Sequence, residues 1–320
     1  MASRIALVTL LAACCVLAKD KTKLKDEYAV VNGVRLHYVS AGKGPLIVFL
    51  HGFPEFWYEW KDQLPEFAKD HRAVAPDMRG YNLSEKPAGV DAYQMTKLVE
   101  DVRALAEHLG YKKFVLVGHD WGGGVAWSFA IAHPEYLSKL VIINCPHPAI
   151  LARELAQNPE QQKASQYMLL FRSPQAEAIL SANNYAGLVE GVLGEGLKSG
   201  VFTEADKQAY IAAWSQPGAL TGGLNYYRAA NLGPPAPAKE GEAPAAASGS
   251  AFGLDAASLV VKVPTLAIWG EKDTALLTGN LDGMDKFVPD LTIKRIPEGS
   301  HWVVHEKPAV VNGYIREFVR

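Results

Sequence analysis

The sequence is poor in cysteine and has no excess of positive charge, and each shortage excludes a class of function. Three cysteines in 320 residues do not supply the disulfide framework of a small secreted domain. The 32 basic residues are balanced by 34 acidic ones, and the formal charge of −2 leaves no basic surface for nucleic acid. No internal repeat is present in the sequence. We therefore expect an uncharged or weakly polar small molecule as the ligand.

The first 25 residues differ in kind from the rest of the chain. Arg4 precedes an apolar run over 5–18, which is too short to span a bilayer but has the length of a signal-peptide core. The small residue Ala18 offers a cleavage site, whereas residues 11–14 resemble a bacterial lipobox that would lipidate Cys14. Cleavage after Ala18 and lipidation of Cys14 are both compatible with the sequence, as is a hydrophobic N-terminus that is retained. We expect residues 1–18 to be a leader and the protein to be periplasmic, secreted or anchored to a membrane through Cys14.

From residue 26 to 148, short apolar strands alternate with helical segments. The dipeptide Asn32-Gly33 joins two alternating runs as a hairpin. The continuous apolar run over 46–50 is typical of a strand buried on both faces. Strands are also predicted over 72–75, 114–117 and 140–144, and helices over 60–68 and 95–109. This order predicts an α/β fold, with a mostly parallel sheet, helices on both faces and sites beyond the carboxyl ends of the strands.

The alternation stops between residues 149 and 258, where helix-like segments take over. Such an insertion between two strands is expected to form a helical lid. Within it, residues 233–253 are rich in Pro, Ala, Gly and Ser and predict a flexible surface loop, to which we attach no function. Strands over 263–270 and 291–296 and a helix over 308–319 follow. The α/β core is thus predicted over 26–148 and 259–320.

The chain is organised around the segment Gly118-His119-Asp120-Trp121-Gly122, which directly follows the strand over 114–117. Its spacing is that of the G-x-S-x-G nucleophile elbow, with aspartate in place of serine. The glycines leave room for a positive φ at Asp120, and a helix is expected from 125 to 132. A carboxylate forms an ester with an alkyl carbon and needs no general base to do so. The substrate is therefore expected to contain a strained or activated carbon, unless Asp120 merely caps the helix.

Two further polar residues follow later strands. Asp273 comes after the strand over 263–270, and His301 follows the strand over 291–296. Taken singly, each is readily explained as a turn or structural residue. Together with Asp120 they stand in the order nucleophile, acid and histidine, each after a strand, which indicates a catalytic triad.

With these residues in place, the sequence resembles the α/β-hydrolase family and, within it, the soluble-type epoxide hydrolases. The resemblance covers nearly all of the chain from about residue 27. It is carried by four motifs: His51-Gly52-Phe53-Pro54-Glu55, Gly118-His119-Asp120-Trp121-Gly122-Gly123, Gly270-Glu271-Lys272-Asp273 and Gly299-Ser300-His301-Trp302. The resemblance implies an oxyanion hole formed by the backbone N–H groups of Phe53 and Trp121. It implies neither a metal nor a cofactor.

The resemblance also implies that two tyrosines of the lid, Tyr167 and Tyr227, hydrogen-bond the epoxide oxygen. Tyr167 lies in the pattern Tyr-x-x-x-Phe-x-x-Pro. The family's usual tryptophan before the second tyrosine is Tyr226 here, which leaves open whether Tyr226 or Tyr227 points inward. Both aromatic segments are also compatible with simple packing between lid helices.

The implied reaction is the opening of an epoxide to a vicinal diol through an ester on Asp120, which His301, oriented by Asp273, then hydrolyses with water. The nearest alternative is a haloalkane dehalogenase of the same fold, in which Trp121 would bind the halide. A haloacetate dehalogenase typically carries arginine at the position of Trp121. A catalytically silent exported binding protein is a further alternative, although no catalytic residue is missing.

Overall fold

The computed structural model describes residues 23–235 and 256–320. The predicted leader over 1–18 lies outside these ranges, as does the predicted loop over 233–253 from residue 236 onward. None of the helices in the described ranges is long and apolar enough to cross a membrane.

The described residues form eight strands and twelve α-helices. The strands are β1 (Lys25–Val31), β2 (Val34–Ala41), β3 (Leu46–Leu50), β4 (Arg72–Pro76), β5 (Phe114–His119), β6 (Leu137–Ile143), β7 (Thr265–Gly270) and β8 (Leu291–Ile296). The helices are α1 (Gln63–Phe67), α2 (Met95–His108), α3 (Asp120–Ala132), α4 (Pro148–Gln157), α5 (Pro159–Ala164), α6 (Tyr167–Arg172), α7 (Ala176–Leu188), α8 (Gly194–Ser199), α9 (Glu204–Trp214), α10 (Ala219–Ala230), α11 (Val303–Glu306) and α12 (Pro308–Val319).

The strands form one sheet in the order β1-β2-β4-β3-β5-β6-β7-β8. The pairs β1–β2 and β2–β4 are antiparallel, and all other pairs are parallel. The hairpin turn between β1 and β2 has a positive φ at both Asn32 (47°) and Gly33 (76°), as an Asn-Gly turn requires. The predicted α/β fold with a mostly parallel sheet is confirmed.

Helices cover both faces of the sheet. Every residue of β3, β5 and β7 is buried, because apolar clusters lie on both sides of the sheet. Helices α2 and α3 pack on one face, and α1 and α12 pack on the other. The continuous apolar runs of these strands therefore reflect burial on two faces, as the sequence predicted.

Helices α4 to α10 form an insertion between β6 and β7, which we call the helical insertion. Its side chains from α4, α6, α7 and α10 line cavities that also border Asp120. Helix α7 is interrupted where Asn183, Asn184 and Tyr185 take positive φ angles, and a π-helical turn (Val189–Leu193) follows it. That the insertion acts as a lid stays a prediction.

Two helix boundaries differ from the predictions. Helix α3 begins at Asp120 and not at 125, because its glycines serve close packing and do not form a loop. A Cβ on Gly122 would lie 2.1 Å from the carbonyl oxygen of Leu50, and one on Gly123 would lie 2.5 Å from the Cβ of Cys145. The glycines thus let the first turn of α3 lie directly against β3 and the segment after β6.

The helix predicted over 60–68 is in fact a 3-10 turn (Trp57–Trp60) followed by the short helix α1. Pro65 accounts for the difference, because it has no N–H to donate to the carbonyl group of Lys61, four residues earlier. An α-helix cannot run without interruption from Trp60 through this position.

Candidate active site

Asp120 lies at the junction of β5 and α3. Its backbone is in the left-handed region, with a φ of 48°. Such a conformation costs about 1–3 kcal/mol for a residue other than glycine and is concentrated at functional sites. Its carboxylate borders both cavities of the site. The predicted strand, sharp turn and helix with a positive φ at Asp120 are confirmed.

The loop after β3 brings Phe53 against the carboxylate of Asp120. The backbone N–H of Phe53 donates a hydrogen bond of 2.8 Å to Oδ1 of Asp120. This approach requires glycine at position 52, because a Cβ on Gly52 would lie 2.7 Å from the Cβ of Asp120. The N–H of Phe53 therefore points at the carboxylate of Asp120, and its role in an oxyanion hole stays a prediction. Trp121 is in the first turn of α3, and the role of its backbone N–H stays a prediction.

His301 and Asp273 lie in the loops after β8 and β7. The Nδ1 atom of His301 is 2.7 Å from Oδ2 of Asp273, and its Nε2 atom is 3.6 Å from Oδ2 of Asp120. The side chains of His301 and Asp120 are each 11% exposed, so water can reach both of them. The structure thus brings together the three residues of the predicted triad.

Asp273 is held as a carboxylate by its surroundings. Burial opposes its ionisation, but the charge and hydrogen bond of His301 and the N–H of Leu276 outweigh burial and hold its pKa below the usual value. Asn144 donates from Nδ2 to Oδ2 of Asp273 at 2.8 Å, and its Oδ1 accepts the N–H of Gly270 at 2.8 Å. The sequence analysis treated Asn144 only as the end of a strand, although a polar residue at the carboxyl end of a predicted strand was a usable signal.

Tyr167 begins α6, Tyr227 lies in α10, and both border the cavities at Asp120. Their ring centroids are 6.4 Å apart. Burial raises the pKa of both phenols well above the usual value, and the negative charge of Asp120 raises it further. Both hydroxyl groups therefore carry their protons at neutral pH and can act as donors.

Tyr226 does not point into the site. Its hydroxyl group donates a hydrogen bond of 2.8 Å to the backbone carbonyl of Arg79, and its side chain is buried. Of the two neighbouring tyrosines, Tyr227 is therefore the one that faces Asp120, which answers the question that the sequence left open.

Two cavities meet at Asp120, Tyr167 and Tyr227. Their other walls differ. The first cavity is bordered mainly by apolar residues of α4, α6 and α10, with Cys145, which is free and buried, in its wall. The second is bordered by α7, the π-helical turn and His301. Apart from the two tyrosines and Cys145, the titratable groups in the walls are Asp120 and His301, and the other lining residues are largely apolar, which suits an uncharged ligand.

A group of buried polar side chains was not anticipated from the sequence. It consists of Glu55, Glu59, His119, Tyr210 and His305, which we call the buried cluster. Glu55 and His119 fall inside the motifs quoted above, but their spacing in the sequence gave no sign that they approach each other.

The alpha/beta hydrolase fold family matches residues 45–308 of the chain. The chain belongs to this family. It is 40% identical over 301 residues to the AB hydrolase superfamily protein YfhM of Bacillus subtilis (strain 168), covering 93% of this chain and 98% of that protein. It is 38% identical over 299 residues to epoxide hydrolase 4 of Mus musculus, covering 90% and 77% of the two chains.

Among solved structures, the chain is similar to a mutant of an epoxide hydrolase from Bacillus megaterium complexed with its diol product. That match has a TM-score of 0.83 and 42% identity and covers 92% of this chain and 99% of the other. The comparisons place this α/β hydrolase among the epoxide hydrolases. The predicted family, fold and enzyme class are confirmed.

Proposed function

We propose that this enzyme opens epoxides to vicinal diols through a covalent ester on Asp120. The main evidence for the proposal is that the carboxylate of Asp120 lies between two sets of groups. Phe53 N–H and His301 approach Asp120 from the core, and Tyr167 and Tyr227 border the cavities into which it opens. An acid pair opposite a nucleophile suits an epoxide, whose opening would otherwise release a bare alkoxide.

In the first half of the reaction, a carboxylate oxygen of Asp120 forms a bond to an epoxide carbon while the bond from that carbon to the ring oxygen breaks. Tyr167 and Tyr227 hydrogen-bond the ring oxygen, and one of them gives it a proton. Since Oδ1 is occupied by the N–H of Phe53, Oδ2 is the oxygen that is free to attack.

In the second half, His301 removes a proton from water as the water attacks the ester carbonyl carbon of Asp120. Asp273 orients His301 and stabilises the imidazolium that forms. The developing negative charge falls on Oδ1, where Phe53 N–H already donates. Collapse of this intermediate breaks the bond between the carbonyl carbon and Oδ2, and the imidazolium of His301 gives its proton to the departing alkoxide oxygen. The second proton of the water returns to the tyrosine that was deprotonated in the first half, so the diol is released and the carboxylate of Asp120 is restored.

His301→Gln tests the proposal, because only the second half needs a base. The ester should accumulate, and mass spectrometry should find the mass of the epoxide added to the peptide that contains Asp120. Asp120→Asn should give no adduct, and His108→Gln, an exposed histidine at the end of α2, should turn over like the wild type. Rapid turnover of His301→Gln without an adduct would contradict the assignment.

We also propose that the enzyme is exported, on the basis of Arg4, the apolar run over 5–18 and Cys14. Intact-mass analysis of membrane and soluble fractions from a bacterial host should find either a shortened chain or an acylated Cys14. A full-length cytosolic product that begins at Met1 would contradict export.

A further inference from the structure

The buried cluster lies outside both cavities of the site and takes no part in the two half-reactions proposed above. Glu55 and Glu59 are each only 1% exposed, and His119 is fully buried. Two carboxylates in a protein interior cost several kcal/mol each unless partners compensate for the lost water. The hydrogen-bond partners of Glu55 and Glu59 therefore show which parts of the active site the cluster holds in place.

Glu59 connects two loops of the active site. Its Oε2 accepts the backbone N–H of Gly52 at 2.8 Å, and its Oε1 lies 2.8 Å from Nδ1 of His119. Gly52 precedes Phe53, whose N–H binds Asp120. The carboxyl group of Glu59 thus contacts His119, the residue before Asp120, and also the loop that carries Gly52 and Phe53, which we call the Phe53 loop.

His119 extends the connection to the catalytic base. Its Nε2 is 2.9 Å from the backbone carbonyl oxygen of His301. Because a carbonyl oxygen only accepts, Nε2 of His119 must carry a proton and donate it. The chain of contacts runs from the Gly52 N–H through Glu59 and His119 to the backbone of His301.

The other carboxylate of the cluster keeps this contact protonated. Glu55 accepts from Tyr210 at 2.6 Å, lies 2.7 Å from Nε2 of His305, and is ionised because His305 and His119 outweigh its burial and lower its pKa. Burial and the charge of Glu55 raise the pKa of Glu59 to about 8. The nearby carboxylates also raise the pKa of His119, against the effect of its burial. The raised pKa values of both groups favour a proton between Glu59 and His119 at neutral pH.

We propose that Glu59 is a positioning residue for hydrolysis of the ester, because it holds the Phe53 loop through Gly52 and the His301 loop through His119. The inference rests on the proposed function, since only ester hydrolysis uses the oxyanion donor and the base in the same step. The attack on the epoxide depends on Asp120 and the two tyrosines and uses Phe53 only to orient the carboxylate. Loss of Glu59 should therefore slow the second half more than the first.

A bound divalent cation is the alternative to a proton shared between Glu59 and His119. Glu55, Glu59 and His119 each offer one ligand atom, and the three atoms lie within 4.8 Å of one another. The separation of 2.8 Å between Glu59 Oε1 and His119 Nδ1 is a hydrogen-bond distance. Neither atom makes a hydrogen bond of good angle, however, and metal analysis of the purified enzyme distinguishes a shared proton from a metal ion.

The test compares the rate constants of ester formation and ester hydrolysis by rapid quench with styrene oxide. Glu59→Leu removes both contacts and should slow hydrolysis by about 10- to 100-fold, the scale expected when a catalytic group is misplaced by roughly 1 Å. Ester formation should change much less, so the ester should build up during turnover. Glu59→Gln should stay near the wild type, because its amide can accept from Gly52 and donate to Nδ1 of His119. Glu154→Leu, a buried glutamate of α4 outside the cluster, is the matched control and should leave both rate constants unchanged.

Glu59→Asp is the second variant. It keeps a buried acid but shortens its reach. Ester hydrolysis should therefore slow more than ester formation in this variant as well, even if Glu59→Leu does not fold. An equal fall in both rate constants, no fall in either, or a Glu59→Gln variant as impaired as Glu59→Leu would overturn the inference. Stoichiometric metal in the purified wild type that is lost on substitution of Glu59 would also overturn it. A wild type that forms no ester on Asp120 would instead refute the proposed function.

Discussion

Tyr226 and Tyr227 are neighbours on helix α10, yet their hydroxyl groups lie on different sides of it. Tyr226 donates to the carbonyl group of Arg79 in the core, whereas Tyr227 borders both cavities beside Asp120. Successive residues of an α-helix point about 100° apart, which follows from 3.6 residues per turn. The pair therefore supplies both a functional residue and its matched control.

The double variant Tyr167→Phe/Tyr227→Phe should open epoxides about 10²- to 10⁴-fold more slowly, the usual contribution of general acid catalysis. Each single variant should lose less, because the remaining phenol can still donate. Expulsion of bromide needs no acid, so any side activity on bromoalkanes should fall much less. The ratio of the two activities is the measurement, since it cancels a general loss of folded enzyme.

Tyr226→Phe is the control for this pair, because it also removes a buried hydroxyl group from α10. It should reduce stability without changing the ratio of epoxide to bromoalkane turnover. A double variant that opens epoxides at the wild-type rate, or a wild type that processes only halides, would favour the dehalogenase alternative.

Asn144→Ala should weaken both stability and ester hydrolysis. It removes the donor to Asp273 and leaves the N–H of Gly270 without its acceptor, which should cost about 1–3 kcal/mol of unfolding free energy. Urea denaturation and diol formation measure the two effects. Asn280→Ala, which removes an equally buried asparagine bound to Gln161, should be destabilised without slowing ester hydrolysis. Equal losses of activity in both variants would contradict a positioning role for Asn144.

The stability of the enzyme should fall as the pH rises above neutrality. Glu59 and His119 both have raised pKa values in the folded protein, that of Glu59 being about 8. In the unfolded chain, glutamate and histidine release their protons near pH 4.3 and about 6.5. From about pH 6.5 to 8 the folded protein therefore binds more protons than the unfolded chain, and its stability decreases with rising pH.

Thermal melts between pH 6 and 9 measure this dependence. Glu59→Gln should show a smaller decrease in Tm than the wild type, because its amide does not titrate. Glu154→Gln serves as the control and should follow the wild type. A wild type whose Tm rises through this pH range would contradict the shared proton.

The two cavities should accept one substituent each from a disubstituted epoxide. Ala152 borders the first cavity and Gly191 the second, where a Cβ on Gly191 would meet open space. Ala152→Phe or Gly191→Phe should each reduce kcat/KM for trans-stilbene oxide roughly 10- to 100-fold, since the excluded ring loses about 1.5–3 kcal/mol of burial. Styrene oxide has one ring and should lose less in either variant. Equal losses for both substrates would indicate that the cavities do not divide the substrate in this way.

Much of the architecture follows from short stretches of sequence. The run at β3 was predicted with its observed bounds, because a strand buried on two faces is encoded by a few consecutive apolar residues. Strand β8, at the partly exposed edge of the sheet, was also predicted with its observed bounds. The positive φ of Asp120 was predictable from the glycines around it. The glycines of α3 misled the prediction of its start, because the sequence does not distinguish a glycine that forms a loop from one that permits close packing.

The sequence by itself determined the order of strands and helices, the elbow at Asp120 and the three triad residues, since each depends on neighbours within a few positions. Only the tertiary structure decided that Tyr227 rather than Tyr226 faces the nucleophile and that Glu59 reaches His119. Glu59 follows β3 and His119 ends β5, and they meet because these two strands are adjacent in the sheet although β4 lies between them in the chain. Strand adjacency of this kind arises from packing of the whole sheet and helices, so no local pattern of residues can encode it.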